Sequence, residues 1–507
     1  MTANLFAALS AGKPAAKPAL ILPDGQTLSY GTVFARAGQM ANRLVALGVV
    51  PGDRIAVQVD KSAEALILYL ASLRAGAVYL PLNTAYTGTE IAYFLGDAEP
   101  RLFVVAPRAA DDAAPLAEAA GATLATLGDD GRDGTLLAGL DALPARFDDV
   151  ARAPDDLAAI LYTSGTTGRS KGAMLSHANL LSNARTLAAT WRFGPEDELL
   201  HALPIYHTHG LFVATNVSLF AGAAIRLLPR FDLDALFAGM KSATVMMGVP
   251  TFYTRLLADP RLDRAATAGM RLFISGSAPL LAETHRAWRD ATGHMILERY
   301  GMTETNMNTS NPYDGERRPG TVGLPLAGVS IRVVDETNGT PLAAGEVGMI
   351  EVKGPNVFQG YWRMPDKTAA EFRPDGFFIT GDLGRISVDG YVEIVGRGKD
   401  LVITGGLNVY PKEVETEIDL LDGVEESAVI GLPHADFGEA VAAVVVRRPG
   451  ATVSAAAILE ALAGRLAKFK QPKAIFFADA LPRNTMGKVQ KNRLREAHAG
   501  HFRREPA

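Results

Sequence analysis

The chain has 507 residues, with 50 basic and 55 acidic side chains and a net charge of −5 at neutral pH. A chain of this length exceeds what one hydrophobic core usually holds, so we expect at least two domains. Because there is no basic excess, the chain lacks the electrostatic footprint of proteins that bind nucleic acid or anionic membranes. The expected partners are therefore small molecules, with no nucleic acid and no membrane.

The sequence contains no cysteine, which excludes disulfides, thiolate metal sites and a cysteine nucleophile. A reaction that forms a thioester would need a thiol from another molecule. The beginning of the chain lacks the basic and apolar pattern of a secretory signal. The longest apolar region, residues 63–82, is interrupted by Arg74, Gly76 and Pro81, which favours buried helix and strand over a membrane span. We expect a cytoplasmic protein.

Alternating strand and helix patterns dominate the first 300 residues. Residues 54–59 and 77–80 are predicted as strands around a helix at 62–75, which makes a βαβ unit. The same alternation returns at residues 175–228 and 243–275, so large parallel or mixed sheets are expected. The predicted fold class is α/β with several subdomains, including two sheets layered with helices.

The pattern changes after about residue 320. Short strands between Gly, Pro and Asp turns, such as residues 329–334 and 348–352, predict a β-rich, barrel-like subdomain. A polar, glycine-bearing segment at residues 396–400 precedes a new region of helices and strands. We therefore place a domain boundary at this segment.

One segment has the composition of a phosphate-binding loop. Residues 162–172 (YTSGTTGRSKG) follow an apolar stretch at 157–161 and are rich in hydroxyl groups and glycine. Glycines let backbone N–H groups turn toward an anion, and Lys171 adds positive charge. The Walker A spacing is absent. The alternative is an ordinary Ser/Thr/Gly hairpin, which eleven residues in this order disfavour.

Four more segments follow in a fixed order: YGMTET at 300–305, TGDL at 380–383, GRGKD at 396–400 and PRNTMGK at 482–488. Together with the phosphate loop they closely resemble the motifs of the adenylate-forming superfamily, which includes acyl-CoA synthetases, firefly-type luciferases and peptide-synthetase adenylation domains. The resemblance implies an N-terminal domain (1–396), a hinge (397–400) and a small mobile α+β C-terminal domain (401–507). It also implies Mg²⁺-dependent activation of a carboxylic acid by ATP, followed by acyl transfer to coenzyme A.

The resemblance further implies roles for single residues. It assigns the chemistry to Lys488, Glu304, Thr303 and His207, and Mg²⁺ binding to Thr163 and Glu304. It places the hinge at Lys399 and the coenzyme A tunnel at Gly405, Gly406 and Leu407. ATP or AMP binding is implied for Thr163, Ser164, Gly165, Thr166, Thr167, Gly168, Lys171, Gly276, Ser277, Ala278, Arg299, Tyr300, Gly301, Met302, Thr303, Asp382 and Arg397.

Polar residues near the acyl-binding segments bear on which acid is used. A second substrate carboxylate, once buried, needs a partner, and a guanidinium with a neighbouring imidazole or hydroxyl provides one. Arg286 has this chemistry, with His207 and Ser277 beside it and Met302 limiting the space around the acid. Arg286 could equally form surface ion pairs with Glu283 and Asp290 on its own helix.

The runs at 205–212 and 298–308 are most similar to malonyl-CoA synthetases, so the implied acid is malonate and sometimes methylmalonate. Several alternatives stay open: a synthetase for another short-chain or aromatic acid, an enzyme that loads a separate carrier protein, and a non-catalytic nucleotide sensor. A last hypothesis is that a lysine acyltransferase and deacylase act on Lys488, since acylation would remove its charge.

Overall fold

A computed structural model describes residues 3–163, 170–278, 280, 282–335, 338–397, 402–409, 411–482 and 489–502. Its strands, in chain order, are β1 (Pro18–Ile21), β2 (Thr27–Ser29), β3 (Arg54–Gln58), β4 (Val78–Pro81), β5 (Leu102–Val105), β6 (Thr123–Thr126), β7 (Leu157–Thr163), β8 (Lys171–Ser176), β9 (Glu198–His201), β10 (Ala224–Leu227), β11 (Val245–Gly248), β12 (Leu272–Ser275), β13 (Leu297–Met302), β14 (Asn306–Ser310), β15 (Leu324–Pro325), β16 (Ser330–Val334), β17 (Gly348–Lys353), β18 (Phe378–Ile386), β19 (Val392–Arg397), β20 (Val402–Thr404), β21 (Leu407–Val409), β22 (Val424–His434), β23 (Gly438–Arg447) and β24 (Ala474–Ala478).

The helices complete the description. They are α1 (Leu5–Ser10), α2 (Tyr30–Ala46), α3 (Ala63–Arg74), α4 (Gly88–Ala98), α5 (Ala110–Ala119), α6 (His177–Thr190), α7 (Asn216–Ala221), α8 (Leu233–Met240), α9 (Pro250–Leu257), α10 (Ala282–Thr292), α11 (Pro365–Glu371), α12 (Pro411–Asp419), α13 (Ala455–Ala463) and α14 (Lys491–His498). A π-helical segment, His209–Thr215, precedes α7.

Two large sheets form the N-terminal part of the molecule. The first runs in the order β15-β14-β13-β12-β11-β9-β10-β1-β2, and the second in the order β6-β5-β3-β4-β7-β8. The predicted βαβ unit is confirmed, because β3 and β4 pair in parallel around α3. Eleven residues of α3 are buried, as expected for a helix that is apolar on nearly all sides.

Two smaller sheets follow. Strands β16 to β19 form an antiparallel half-barrel, which confirms the predicted β-rich subdomain. The last sheet has the order β21-β20-β23-β22, with β24 added in parallel to β23, and α12, α13 and α14 belong to the same region. This small α+β domain is the predicted C-terminal domain. Residues 398–401, which include the predicted hinge Lys399, lie outside the described residues.

Within the described ranges, no helix has both the length and the apolar character needed to cross a membrane.

Candidate active site

A cavity between the large and small domains collects several of the predicted residues. Its walls include Thr163 at the end of β7, Thr303 after β13, and His207 in the loop after β9. Leu407, at the start of β21, closes the cavity from the C-terminal domain. Side chains that are distant in sequence thus share one space, with Asn83, Tyr86, Tyr206, Phe469 and Lys470 beside them.

A charged cluster lies at the Thr163 end of this cavity. The Thr163 hydroxyl donates to Oε1 of the buried Glu304 over 3.3 Å, and Lys171 Nζ lies 3.0 Å from Glu371 Oε1. The Tyr361 hydroxyl lies 3.1 Å from Glu304 and 2.6 Å from Glu371, so it links the two carboxylates. Burial raises the pKa of Glu304, although the charge of Lys171 opposes this shift. Sequence reasoning missed Tyr361 and Glu371, which belong to no recognised motif.

A second set of predicted residues lies where the half-barrel meets the nine-stranded sheet. The Tyr300 hydroxyl, at the end of β13, lies 2.5 Å from Oδ2 of Asp382 in β18. Asp382 is 1% exposed, and its register partner in β19 is Arg397. The structure therefore brings three predicted nucleotide-binding positions together, although only the backbone of Arg397 lies within the described part. Gly301 and Met302 complete the end of β13.

The most unusual side chain of the site is Arg299 in β13. It is 3% exposed, and its Nε and Nη2 atoms have no hydrogen-bond partner among the described residues. Burial lowers the pKa of the Arg299 guanidinium to about 9. A Cβ atom at Gly276 would lie 2.3 Å from Arg299 Cζ, so any other residue at position 276 would force the guanidinium to move. Two buried guanidinium nitrogens without a partner among the described residues are costly, which indicates a place for an anion.

Two histidine side chains lie close enough to Arg299 for its charge to lower their pKa values, and Ser277 contacts one of them. Ser277 Oγ lies 3.2 Å from Nδ1 of the buried His209, and His209 Nε2 has no partner among the described residues. Burial, followed by the charge of Arg299, lowers the pKa of His207 to about 4 and that of His209 well below its usual value. Both imidazoles are therefore neutral at neutral pH, which leaves Arg299 as the cation of the group.

A buried lysine fixes the backbone just before the loop that carries these histidines. Nζ of the buried Lys61 donates to the carbonyl oxygens of His201 at 3.0 Å and Leu203 at 2.7 Å. A Cβ atom at Gly210 would lie 2.0 Å from the Pro204 carbonyl oxygen, so only glycine allows this close approach. Gly210 lies within the π-helical segment His209–Thr215, a conformation that is common at functional sites.

The structure places Arg286, our candidate partner for a second substrate carboxylate, at the surface, which fits the alternative of a surface residue. This side chain is exposed on α10, while His285 and Trp288 of the same helix are buried. The surface pair proposed with Asp290 is not the one that forms, because Asp290 pairs with Arg289 over 2.8 Å. Arg299 has the buried position that a partner for a substrate carboxylate requires.

Other predicted residues fall into two groups. Gly276, Ser277 and Ala278 follow β12, and Gly405 and Gly406 form the turn between β20 and β21. Gly406 has φ +79°, and a Cβ atom there would lie 3.0 Å from Val249 Cγ1, so the turn fits closely against the large domain. Outside the described residues lie Ser164, Gly165, Thr166, Thr167, Gly168, Lys399 and Lys488.

Two fully buried histidines make stability depend on pH. Burial lowers the pKa of His177 to about 4 and that of His201 to about 3, against an ordinary value of 6.5. The unfolded chain therefore binds more protons below pH 6.5 than the folded chain does. As the pH falls from about 6.5 toward 4, each histidine is expected to remove about 1.4 kcal/mol of unfolding free energy per pH unit.

Urea unfolding at pH 7.5, 6.5 and 5.5 measures this slope, and His177→Gln is expected to reduce it by the share of one histidine. His501→Gln is the matched control, because His501 is exposed. A slope that His177→Gln leaves unchanged would contradict the prediction.

Comparison with known proteins agrees with this geometry. Residues 7–362 match the model of the AMP-binding enzyme family, and residues 413–488 match that of the AMP-binding enzyme C-terminal domain. The chain belongs to the AMP-binding enzyme family, which confirms the superfamily that its motifs resemble.

Individual relatives are similar over nearly the whole chain. The structure of ATP-bound MatB from Rhodopseudomonas palustris is 62% identical, covers 99% of this chain and 100% of its own, and gives a TM-score of 0.79. A malonyl-CoA ligase in a ternary product complex with methylmalonyl-CoA and AMP is 38% identical, with 94% and 100% coverage and a TM-score of 0.81. Malonate–CoA ligase of Arabidopsis thaliana is 33% identical over 94% of this chain and 86% of its own.

Proposed function

We propose that this enzyme joins malonate, and also methylmalonate, to coenzyme A through a malonyl-adenylate, with release of AMP and pyrophosphate. The observation that carries the choice of acid is the buried Arg299, whose Nε and Nη2 atoms lack a partner among the described residues. A dicarboxylate presents one carboxylate to ATP and has a second one to pair with this guanidinium. A monocarboxylate would leave the charge unpaired, at a cost in free energy.

The relatives support the same choice, because MatB, malonyl-CoA ligase and malonate–CoA ligase are all similar to this chain over most of its length. Ser277 and His209 beside Arg299 offer a hydroxyl and a neutral imidazole that complete a carboxylate site. Met302, which is half-buried at the end of β13, is proposed to limit the size of the acid.

In the first half-reaction, one malonate carboxylate attacks the α-phosphorus of ATP, and pyrophosphate leaves. We assign Thr303, Lys171 and the loop at 164–169 to the phosphates, with Lys488 reaching the same centre. Tyr300 and Asp382 are assigned to the adenosine, where a buried carboxylate suits the two ribose hydroxyls. His207 lines the same cavity as Thr303 and is assigned to the reacting carboxylate.

Glu304 and Thr163 are suited to hold Mg²⁺. Both present oxygen atoms, which this hard cation prefers, and they lie 3.3 Å apart at the cavity wall. No group of three or more metal-binding His, Asp or Glu side chains occurs in the described part of the chain, so phosphate oxygens and water would supply the other ligands. When bound, Mg²⁺ supplies neutralisation of the charge on the triphosphate.

In the second half-reaction, the thiol of coenzyme A attacks the acyl carbon, and AMP leaves. No protein nucleophile is needed, in agreement with a chain that has no cysteine. We assign Gly405, Gly406 and Leu407 to the path of the thiol, because Leu407 lines the same cavity as His207 and Thr303. Residues 401–507 are proposed to rotate about Lys399 between the two half-reactions. This rotation would take Lys488 out of the cavity and bring the turn at Gly405–Leu407 to it.

The location in the cytoplasm and the acylation of Lys488 by a separate lysine acyltransferase, with removal by a deacylase, are proposals that rest on the sequence alone. Acylation would remove the charge assigned to the first half-reaction.

Release of AMP from ATP and coenzyme A tests the function. Purified protein is expected to give the highest kcat/KM with malonate, then methylmalonate, and at least about tenfold lower values with succinate, acetate, benzoate and octanoate. The product is identified by mass as malonyl-CoA. A monocarboxylate that leads this series would leave the class of enzyme in place and would overturn the choice of acid.

A further inference from the structure

An ion-pair cluster connects the two domains next to the cavity. Lys470 Nζ, from the C-terminal domain, lies 2.8 Å from Oε1 of Glu90 in helix α4 of the large domain. Its second partner, Glu413 of α12, lies 2.7 Å away and belongs to the C-terminal domain. The Lys470 side chain is only 2% exposed. A lysine is therefore buried between two carboxylates, of which one belongs to each domain.

Backbone contacts reinforce the same junction. The Ala467 N–H donates to Glu90 Oε2 over 3.2 Å, and the Thr87 hydroxyl donates to the Arg465 carbonyl oxygen over 3.1 Å. Three contacts thus tie residues 465–470 to the first turn of α4. They are directional contacts, so they define one orientation of the C-terminal domain.

Glu90 also has a role within its own domain. It occupies the third position of α4 and closes a capping box, since its Oε2 accepts the Thr87 N–H over 2.9 Å. A cap requires an acceptor oxygen but no negative charge. The negative charge of Glu90 is therefore needed only for the ion pair with Lys470. A substitution that keeps a side-chain oxygen but removes the charge separates this ion pair from the capping of α4.

The position of the cluster links it to the reaction. Lys470 and its neighbour Phe469 line the same cavity as His207, Thr303 and Leu407. The orientation that pairs Lys470 with Glu90 is thus the orientation in which the turn of Gly405 and Gly406 rests against Val249. Burial opposes the charge of Lys470, but Glu413, Tyr86 and Glu90 outweigh it and raise its pKa, so the lysine stays charged in this junction.

We infer that Lys470 is a positioning residue: its pair with Glu90 holds the C-terminal domain where the Gly405–Leu407 turn faces the cavity, and so favours the thioester-forming half-reaction. This inference rests on the proposed two-step function. Adenylation is assigned to an orientation that brings Lys488 to the same cavity, and the Glu90 contact must then open. The pair with Glu413 lies within one domain and can persist in both orientations.

The test compares Glu90→Gln with Glu413→Gln in the full-length protein. Glutamine at position 90 keeps an oxygen for the capping box and removes the charge that pairs with Lys470. Adenylation is measured as ATP–pyrophosphate exchange without coenzyme A, and the second step as the rate of AMP release after coenzyme A is mixed with preformed acyl-adenylate. For Glu90→Gln, exchange is expected to stay within about twofold of wild type, while the second step slows about tenfold or more.

Glu413→Gln is the matched control, because it removes the other carboxylate of the same lysine and is expected to leave the ratio of the two rates unchanged within about threefold. Equal loss in both steps for Glu90→Gln, or an unchanged second step, overturns the inference. The same is true if Glu413→Gln shifts the ratio as strongly as Glu90→Gln does. Wild-type exchange is measured first: if malonate supports none, the choice of acid fails, and the variants are compared with whichever acid supports exchange.

Discussion

Replacing Arg299 with methionine is expected to lower kcat/KM for malonate by about 10²–10³-fold, because the second carboxylate would then be buried without a partner. Methionine has a flexible apolar stem, so the change removes the guanidinium with limited disturbance of packing. The same variant is expected to gain relative activity with butyrate, whose apolar end needs no cation. Steady-state kinetics with malonate and butyrate measure both effects.

The Arg299→Met substitution is not expected to lower the free energy of unfolding, although it lowers the activity. In the unliganded enzyme, the buried guanidinium lacks partners for Nε and Nη2 among the described residues. We therefore expect Arg299→Met to be at least as stable as wild type in urea unfolding without substrate. Loss of activity without loss of stability separates a substrate-binding residue from a structural one.

Arg286→Ala is the matched control for Arg299→Met, since Arg286 has the same charged group but is exposed on α10. Its kcat/KM for malonate is expected to stay within about twofold of wild type. The KM for ATP tests the other prediction made for Arg299, namely nucleotide binding. If Arg299→Met raises that KM and leaves malonate kinetics intact, the guanidinium belongs to the nucleotide site.

The contrast between these two arginines shows where sequence reasoning succeeds and fails. The spacing of His285, Trp288 and Thr292 places these residues on one face of a helix, and all three are buried. Arg286 lies off that face, so the helical period alone indicates that it is exposed. By contrast, Arg299 lies in a six-residue strand beside Tyr300. Its burial depends on residues that are distant in sequence, such as Gly276, whose missing side chain leaves room for the guanidinium.

Local sequence patterns predict the helices, strands and motifs of this chain, but they do not predict how these elements pack together. The βαβ unit at residues 54–81 follows from strand and helix periods, and the motifs that begin within β7, β13 and β18 follow from the resemblance to a family. The contact of Tyr361 with both Glu304 and Glu371 depends on a loop that packs across two subdomains. The Lys470–Glu90 pair likewise joins residues 380 positions apart. No local pattern encodes such contacts.

Glu304→Gln is expected to lower the rate of ATP–pyrophosphate exchange by about 10²–10³-fold, because an amide at this position offers no charge to the cation that neutralises the triphosphate. Exchange is measured over a range of Mg²⁺ concentrations, and the variant is expected to need more Mg²⁺ for half-maximal rate. Tyr361→Phe is the matched control: it removes the hydroxyl 3.1 Å from Glu304 and keeps the carboxylate, so a loss of no more than about tenfold is expected.

The second half-reaction distinguishes this carboxylate from the one at the domain junction. Starting from preformed acyl-adenylate, Glu304→Gln is expected to form thioester at nearly the wild-type rate, since pyrophosphate has already left and no triphosphate charge remains to be neutralised. An equal loss in that step would show that Glu304 supports the shape of the cavity instead of the chemistry of ATP. Glu304→Gln is therefore expected to slow adenylation, and Glu90→Gln is expected to slow thioester formation, although both replace a buried carboxylate with an amide of the same size.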